Sequence, residues 1–329
     1  MRSRRRLLHG VAAAGMLLCG LRPAAAQPAG KVLRLGWLRP NAAAAGEYQS
    51  LANPAALERL GWVQGRNLDI ERRWANGQAD RLPELARELV QLRCDALLTV
   101  GLSATRAARE ATASTPIVFF GNFDPVAAGL VPSLARPGGN VSGVLIAADG
   151  TLAPKKMQLL KEAVPRATRF ALLSPDDPAM QFQDAEAQRA AGALGVEVGV
   201  VTVRAGDHAA AFAAIAAQGA QAVFVAAHTR FVTDRLAIIA LARRDKLPTM
   251  WEWAEQVRDG GLMAYGSSLA ELYERIAGKL DRVFKGARIG DLPIEQPATY
   301  GLVLNQGTAR AIGLALPRAL VLQASEIVN

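Results

Sequence analysis

Cysteine and histidine are scarce in this sequence of 329 residues. There are two cysteines, Cys19 and Cys94, and three histidines, His9, His208 and His228. Cys19 and His9 fall in an amino-terminal segment that we expect to be removed, so the mature chain would hold one thiol and no internal disulfide. Too few His and Cys side chains remain to form a zinc site of His and Cys ligands or a Cys–His nucleophile pair. The scarcity argues against an enzyme, and we expect no cofactor and no metal.

Long apolar runs and phosphate-binding motifs are missing as well. The apolar stretch at Val11–Leu21 is shorter than the roughly 18 residues that suggest a membrane span, and no later segment reaches that length without charges or helix breakers. Neither G-x-x-x-x-G-K-[ST] nor G-x-G-x-x-G occurs. A cradle for the phosphates of ATP or of a dinucleotide is therefore not supported.

The first 26 residues have the pattern of an export signal. Four arginines between residues 2 and 6 precede the apolar run Val11–Leu21, and Ala24–Ala26 offers a small-residue cleavage site before Gln27. We expect cleavage near Ala26 and a soluble, periplasmic mature protein. The segment Ser3–Leu8 also fits a twin-arginine pattern, so export of a folded chain and ordinary secretion both remain open.

The expected signal carries most of the basic excess of the chain. It contains five arginines and no acid, so its removal lowers the formal net charge from +9 to +4. The nearest thing to a basic cluster in the mature chain is the short pair Arg72-Arg73, whereas a nucleic-acid surface needs basic residues gathered on one element. We therefore expect no nucleic-acid partner.

Short runs of Val, Ile and Leu alternate with segments of helical period along the mature chain. This alternation predicts parallel strands joined by crossover helices, and roughly 300 residues suffice for two domains. The predicted fold is α/β, with two doubly wound Rossmann-like lobes that meet near Asp149-Gly150. We expect residues 30–147 and 262–288 in the first lobe, and residues 148–261 and 297–329 in the second.

The predicted strand ends are the places to search for a site. Ligands of open parallel sheets bind beyond the carboxyl ends of the strands, where loops and helix amino termini face a crevice. The residues at these ends are Trp37, Gly101–Ser103, Gly121–Asp124, Ser174–Asp177, His228-Thr229, Trp251–Trp253 and Tyr265-Gly266.

Ser103 lies where a predicted strand passes into a helix, which is the setting of a hydrolase nucleophile. The nucleophile elbow, however, needs glycine where Thr105 stands, because its tight turn leaves no room for a branched side chain. We therefore expect no nucleophile here. Ser103 and the free amides beside it could hold an anionic group, or Ser103 could cap the helix without touching a ligand. Both interpretations remain open.

Aromatic residues are few, and several fall at or near the predicted strand ends. They are Trp37, Phe120, Trp251, Trp253 and Tyr265. An aromatic side chain in such a place can stack on a ligand and still present a polar edge. Alternatively, each could close the core of its own lobe. Together they favour a cleft for a ligand with an apolar or cyclic part.

Seven segments of the mature chain carry a resemblance to a known family. They are Arg34–Trp37, Gly65–Leu68, Gln78–Pro83, Asp124–Val131, Leu134–Val141, Gly260–Gly266 and Leu292–Pro297. In these segments the sequence resembles the ABC-transporter substrate-binding proteins of the tryptophan-binding-like group, over nearly the whole mature chain.

The resemblance implies a type I periplasmic binding protein, with two hinged lobes that trap a small-molecule ligand between them. Some relatives take aromatic amino acids. The partners implied are an ABC permease in the inner membrane and its cytoplasmic ATPase, and we expect a monomer. One alternative is a ligand-sensing periplasmic subunit that signals to a receptor. An enzyme centred on Ser103 or Asp124 is a third hypothesis.

The resemblance also implies ligand contacts at the lobe edges, and three aromatic residues near predicted strand ends are further candidates. The contacts implied by the family are Gly101, Leu102, Ser103, Asn122, Asp124, Ser174, Pro175, His228, Thr229 and Glu252. The aromatic candidates near the strand ends are Trp37, Trp253 and Tyr265.

Overall fold

The structure is a computed structural model that describes residues 31–40, 48–147, 152–204 and 206–329. The expected signal segment, its cleavage site and the expected lobe boundary at Asp149-Gly150 lie outside these residues. In the part of the chain that the structure describes, no helix is both long and apolar enough to cross a membrane.

The described residues alternate between strands and helices, as the apolar runs predict. The strands are β1 (Leu33–Arg39), β2 (Leu68–Trp74), β3 (Ala96–Val100), β4 (Ile117–Gly121), β5 (Val141–Leu145), β6 (Arg169–Pro175), β7 (Glu197–Val203), β8 (Ala222–Val225), β9 (Thr249–Trp251), β10 (Met263–Gly266), β11 (Gly301–Asn305) and β12 (Glu326–Val328). The α-helices are α1 (Tyr48–Arg59), α2 (Leu82–Gln91), α3 (Gly101–Ala111), α4 (Ala153–Ala163), α5 (Gln181–Ala193), α6 (His208–Ala217), α7 (Thr229–Thr233), α8 (Arg235–Arg244), α9 (Ala254–Arg258), α10 (Leu269–Phe284), α11 (Gln306–Ala311) and α12 (Arg318–Gln323).

The strands form two separate sheets. The first has the order β2-β1-β3-β4-β5, and all its pairs are parallel. The second has the order β12-β11-β10-β9-β8-β6-β7, in which β11 is antiparallel to β10 and the other pairs are parallel. Central strands such as β3 and β4 are buried along their whole length, as expected for sheets covered by helices on both faces. The predicted fold of two doubly wound lobes is confirmed.

Helix α10 returns the chain from the second sheet to the first lobe. Its hydroxyl cap is Ser268, which accepts a hydrogen bond from the backbone N–H of Glu271. Its apolar stripe, including Leu272, Ile276 and Leu280, joins the core formed beneath the first sheet. The segment after the helix pairs with the edge of that sheet through a bridge between Val144 and Glu295.

Strand β10 requires a correction to the expected lobe boundaries. Residues 262–288 were expected in the first lobe, but Met263–Gly266 pairs with β9 and β11 in the second sheet. The crossing therefore falls after Gly266, at Ser267, whose hydroxyl donates to the carbonyl oxygen of Ile146 at 3.1 Å. An apolar run of four residues predicts a strand but does not specify which sheet it joins, because pairing is decided by residues distant in sequence.

Candidate ligand-binding cleft

A cavity lies between the carboxyl ends of the strands of the two sheets. From the first lobe its lining includes Val100, Gly101, Leu102, Ser103, Phe120 and Asn122. From the second lobe it includes Asp177, Met180, Gln183, Ala227, His228 and Trp253. Its volume is about 60 Å³, which is room for roughly four water molecules. The cavity is therefore a narrow space held between two walls.

A wider outer cavity of about 620 Å³ continues the cleft towards solvent. The two cavities share Leu102, Ser103 and Asn122 in their linings, and the outer one is also bordered by Asp124 and Phe182. The cleft thus has a confined inner end and a broad entrance.

The amino terminus of α3 forms the first wall of the inner cavity. Gly101 has a φ of +81°, a conformation that residues with a side chain rarely adopt. The turn is held by Thr105, whose hydroxyl donates to the Gly101 carbonyl at 2.7 Å and lies 2.9 Å from the Thr99 hydroxyl. The residue before the helix, Val100, provides no side-chain cap. Free backbone N–H groups and the positive end of the helix dipole therefore face the cleft, where they suit an anionic group.

Two buried acceptor oxygens lie at the inner end of the cleft. Oδ1 of Asn122 and Oε1 of Glu252 have no hydrogen-bond partner among the described residues. Both side chains line a small cavity of about 10 Å³, which shares Asn122, Gln183 and Ala227 with the main one. The other carboxylate oxygen of Glu252, Oε2, accepts from Nζ of Lys156 in a buried ion pair. Buried acceptors are normally satisfied, so these two oxygens can accept a hydrogen bond from a group that enters the cleft.

His228 and Asp177 face each other in the second wall. Nδ1 of His228 accepts the backbone N–H of Arg230 at 3.2 Å, so a neutral ring carries its proton on Nε2. That Nε2 lies 3.4 Å from Oδ2 of Asp177. Within the described ranges, no group of three His, Cys, Asp or Glu side chains could hold a metal ion.

Two further predicted residues lie beside the cleft rather than at its inner end. Asp124 borders the outer cavity, and its Oδ1 accepts the backbone N–H groups of Val126 at 2.8 Å and Ala127 at 3.0 Å. Its carboxylate is thus occupied with the turn that follows β4. Thr229 begins helix α7, next to His228, and its side chain lies outside the described part of the structure.

Ser174 and Pro175 are withdrawn from the candidate set, because both belong to β6 itself. Ser174 is fully buried and its hydroxyl donates to Oδ1 of Asp184 at 2.9 Å. Burial raises the pKa of the Asp184 carboxyl, and the hydrogen bond from Ser174 opposes that rise. The pair therefore fixes α5 to the sheet behind the cleft wall.

Trp37 and Tyr265 are also withdrawn. Strand β1 continues past Trp37 to Arg39, so Trp37 is not at the strand end; it lies in the first-lobe core and borders a separate cavity of about 10 Å³. Tyr265 is inside β10 and stacks on Tyr300, with ring centroids 6.1 Å apart. Both aromatic residues therefore support the alternative that they pack within a lobe.

The structure adds residues that the sequence analysis did not select. Met180 and Gln183 reach the cavity from the start of α5, and Val232 reaches it from α7. The Asp177-Pro178 pair, which signals a helix start at a strand end, could have indicated the first two. No such signal marks Val232, which lies on the short helix α7 just before the break between α7 and α8.

Two α/β lobes whose strand ends share a cavity, the first with the strand order β2-β1-β3-β4-β5, have the arrangement of a type I periplasmic binding protein. The sequence profile of the family described as ABC transporter substrate binding protein matches residues 52–328. The chain belongs to this family, whose members are substrate-binding proteins and not enzymes. The predicted family is thereby confirmed.

Known relatives agree with this assignment. A tyrosine-binding protein from Clostridioides difficile (strain R20291) is 24% identical over 260 residues, 79% of this chain and 74% of that protein. A conserved domain protein from Vibrio cholerae has a TM-score of 0.81 at 22% identity, covering 90% of this chain and all 100% of its own. An ABC domain from Streptococcus pneumoniae in complex with L-Trp has a TM-score of 0.78 at 20% identity, covering 90% and 99%. At these identities the two structures show a shared fold.

Proposed function

We propose that this chain is an exported solute-binding protein of an ABC import system that captures an amino acid, aromatic or other, in the interlobe cleft. One observation carries the proposal. The same narrow cleft presents an uncapped helix amino terminus on one wall and two buried, unpartnered acceptor oxygens at its inner end. These two features are complementary to the carboxylate and the ammonium group of a zwitterion.

Each part of the ligand has a place in this proposal. The carboxylate accepts hydrogen bonds from the amides at Gly101–Ser103, since a helix amino terminus is an anion site. The ammonium group donates to Oδ1 of Asn122 and Oε1 of Glu252. The side chain of the ligand lies among the apolar and aromatic groups of the cavity, chiefly Phe120 and Trp253, whose rings stack 6.5 Å apart.

The mechanism is capture by closure. Both walls contact the ligand only when the lobes are shut, so binding shifts an equilibrium between open and closed forms by its differential affinity for them. His228, with Thr229 beside it, completes the second wall. No bond is made or broken.

The same proposal covers location and partners. Residues 1–26 direct export and are removed near Ala26, and the mature monomer works in the periplasm. There it delivers its ligand to a permease in the inner membrane that a cytoplasmic ATPase drives. A tyrosine-binding relative and a structural neighbour in complex with L-Trp support an amino acid as the ligand.

A thermal-shift screen of residues 27–329 with tyrosine, tryptophan, phenylalanine, leucine and alanine tests the proposal. A ligand at 100 times its Kd should stabilise the protein by about 2.7 kcal/mol, and X-ray scattering should show a smaller radius of gyration. Asn122→Leu should weaken binding because it removes one acceptor, whereas Asp124→Asn, in the outer cavity, should leave it nearly unchanged. Absence of both stabilisation and compaction with every amino acid would overturn the proposal.

A further inference from the structure

The ion pair between Lys156 and Glu252 is buried at the back of the cleft, and its presence there has to be explained. Lys156, on α4, is 4% exposed, and Glu252, just after β9, is 3% exposed. Removing two charges from water costs free energy that their attraction often does not recover, so such a pair is weak evidence of stabilisation. Its position beside the cavity suggests a role in binding instead.

The pair leaves one oxygen of Glu252 without a partner beside the ligand space. Lys156 occupies Oε2 of Glu252, while Oε1 has no partner among the described residues, and Glu252 lines the same small cavity as Asn122 and Lys156. That cavity, of about 10 Å³, admits one group the size of a water molecule. It therefore suits a single compact N–H donor, such as a primary ammonium group.

The charge of this donor subsite is set by Lys156. A lone buried carboxylate would attract any cation, whereas the paired carboxylate offers lone pairs without net charge. The cleft is further lined by Asp177, whose Oδ2 faces Nε2 of His228 at 3.4 Å in the second wall, and by the positive amino terminus of α3, which favours a carboxylate on the ligand. At the inner end, the pair of Lys156 and Glu252 therefore accepts an ammonium group without adding a net negative charge that would hold a simple cation.

We propose that Lys156 is a specificity-determining residue: by neutralising Glu252 it makes the cleft select a zwitterionic amino acid over the amine that lacks its carboxylate. This inference rests on the proposed function, since it assumes that an amino acid binds in the cleft. It adds the means by which the site rejects cations of the same shape.

The test compares three amino acids with their decarboxylated amines in calorimetric titrations of residues 27–329. The pairs are tyrosine and tyramine, tryptophan and tryptamine, and leucine and isoamylamine. Lys156→Met removes the neutralising charge, so the affinity for an amine relative to its amino acid should rise roughly tenfold or more. Glu252→Gln leaves the lysine charge alone, so the same ratio should fall.

Two controls separate charge from packing. Lys155→Met removes the adjacent lysine, whose Nζ bonds to Gln158 instead, and should leave the ratio unchanged. The double variant Lys156→Met with Glu252→Gln is neutral again, so its ratio should return towards that of the natural protein. If one single variant is too unstable to titrate, the direction in which the other moves the ratio decides.

The outcomes distinguish the inference from the proposed function. If the natural protein binds an amino acid but Lys156→Met does not raise the ratio and Glu252→Gln does not lower it, Lys156 has only a structural role and the inference fails. If the natural protein binds none of the three amino acids, the proposed function fails first and the inference falls with it.

Discussion

The two walls of the cleft present different chemical groups to the cavity. The first lobe contributes mainly backbone and apolar groups, with the α3 amino terminus at Gly101 and the ring of Phe120. The second lobe contributes ionisable side chains, including Asp177 and His228, and holds Glu252 at the inner end. The doubly wound topology places a helix amino terminus at a strand end whatever the side chains are, so this feature of the first wall depends little on sequence. The ionisable side chains of the second wall can each be changed by one substitution. We infer that the first wall anchors ligands of this kind and that the second wall selects among them.

The walls are also joined by a shared apolar core beside the site. Val232 and Trp253, from the second lobe, belong to the same cluster of buried residues as Leu98, Phe120 and Tyr273 of the first lobe and α10. The lobes therefore meet through packing as well as through the chain crossings. Changes at this contact should cost more stability than changes at the polar parts of either wall.

Trp253→Ala should have the largest effect. Removal of a buried tryptophan typically lowers the free energy of unfolding by about 3–5 kcal/mol, and here the lost contacts lie between the lobes. Urea unfolding followed by circular dichroism measures the change. Phe182→Ala is the matched control, because Phe182 is 39% exposed at the cleft entrance, and it should change stability by less than about 0.5 kcal/mol. Similar losses for the two variants would contradict a shared core at Trp253.

Gly101→Ala should have an intermediate effect and tests the first wall. An added Cβ at Gly101 has open space around it, so the cost comes from the φ of +81° alone, about 1–2 kcal/mol for a residue with a side chain. Affinity for the amino acids should fall as well, because relief of the strain moves the amides at Leu102 and Ser103. Unfolding in urea and calorimetric titration measure the two effects.

The control for this substitution is Gly278→Ala in the interior of α10. Its added Cβ also meets open space, but its backbone has no positive φ. Alanine is the better helix former, so the free energy of unfolding should rise by about 0.5–1 kcal/mol and binding should stay constant. If Gly101→Ala were equally harmless, the first wall would not depend on the conformation of that turn.

The residues that could be predicted from the sequence are those whose role follows from local pattern. The spacing of Ser268 and Glu271 is typical of a helix start, and α10 begins at Leu269 with the Ser268 hydroxyl as its cap. A strand that passes directly into a helix at Gly101 predicts an exposed helix amino terminus, and the structure brings it to the cavity. Asn122 and His228 reach the cavity for the same reason, since each follows the end of a parallel strand.

The remaining features depend on contacts between residues that are distant in sequence. The ion pair of Lys156 and Glu252 joins residues 96 positions apart, and neither side chain has a local pattern that indicates the other. Trp37 was misplaced because the alternation of apolar residues does not show where β1 stops. Strand β10 was expected in the wrong lobe, because a short apolar run does not show which strands it pairs with.

Gln183→Ala should have the smallest effect and tests the polar contact between the walls. Nε2 of Gln183, on α5, donates to the carbonyl oxygen of Asn122 in the first lobe at 3.0 Å and lies 3.4 Å from that of Ala227 in the second. Loss of a hydrogen bond of this kind costs about 1 kcal/mol, so the ligand-free protein should open more and scattering should show a larger radius of gyration. Gln181→Ala, at the outer cavity, is the control and should leave the radius unchanged. An unchanged radius for Gln183→Ala would mean that apolar packing at Trp253, and not this hydrogen bond, holds the two walls together before the ligand arrives.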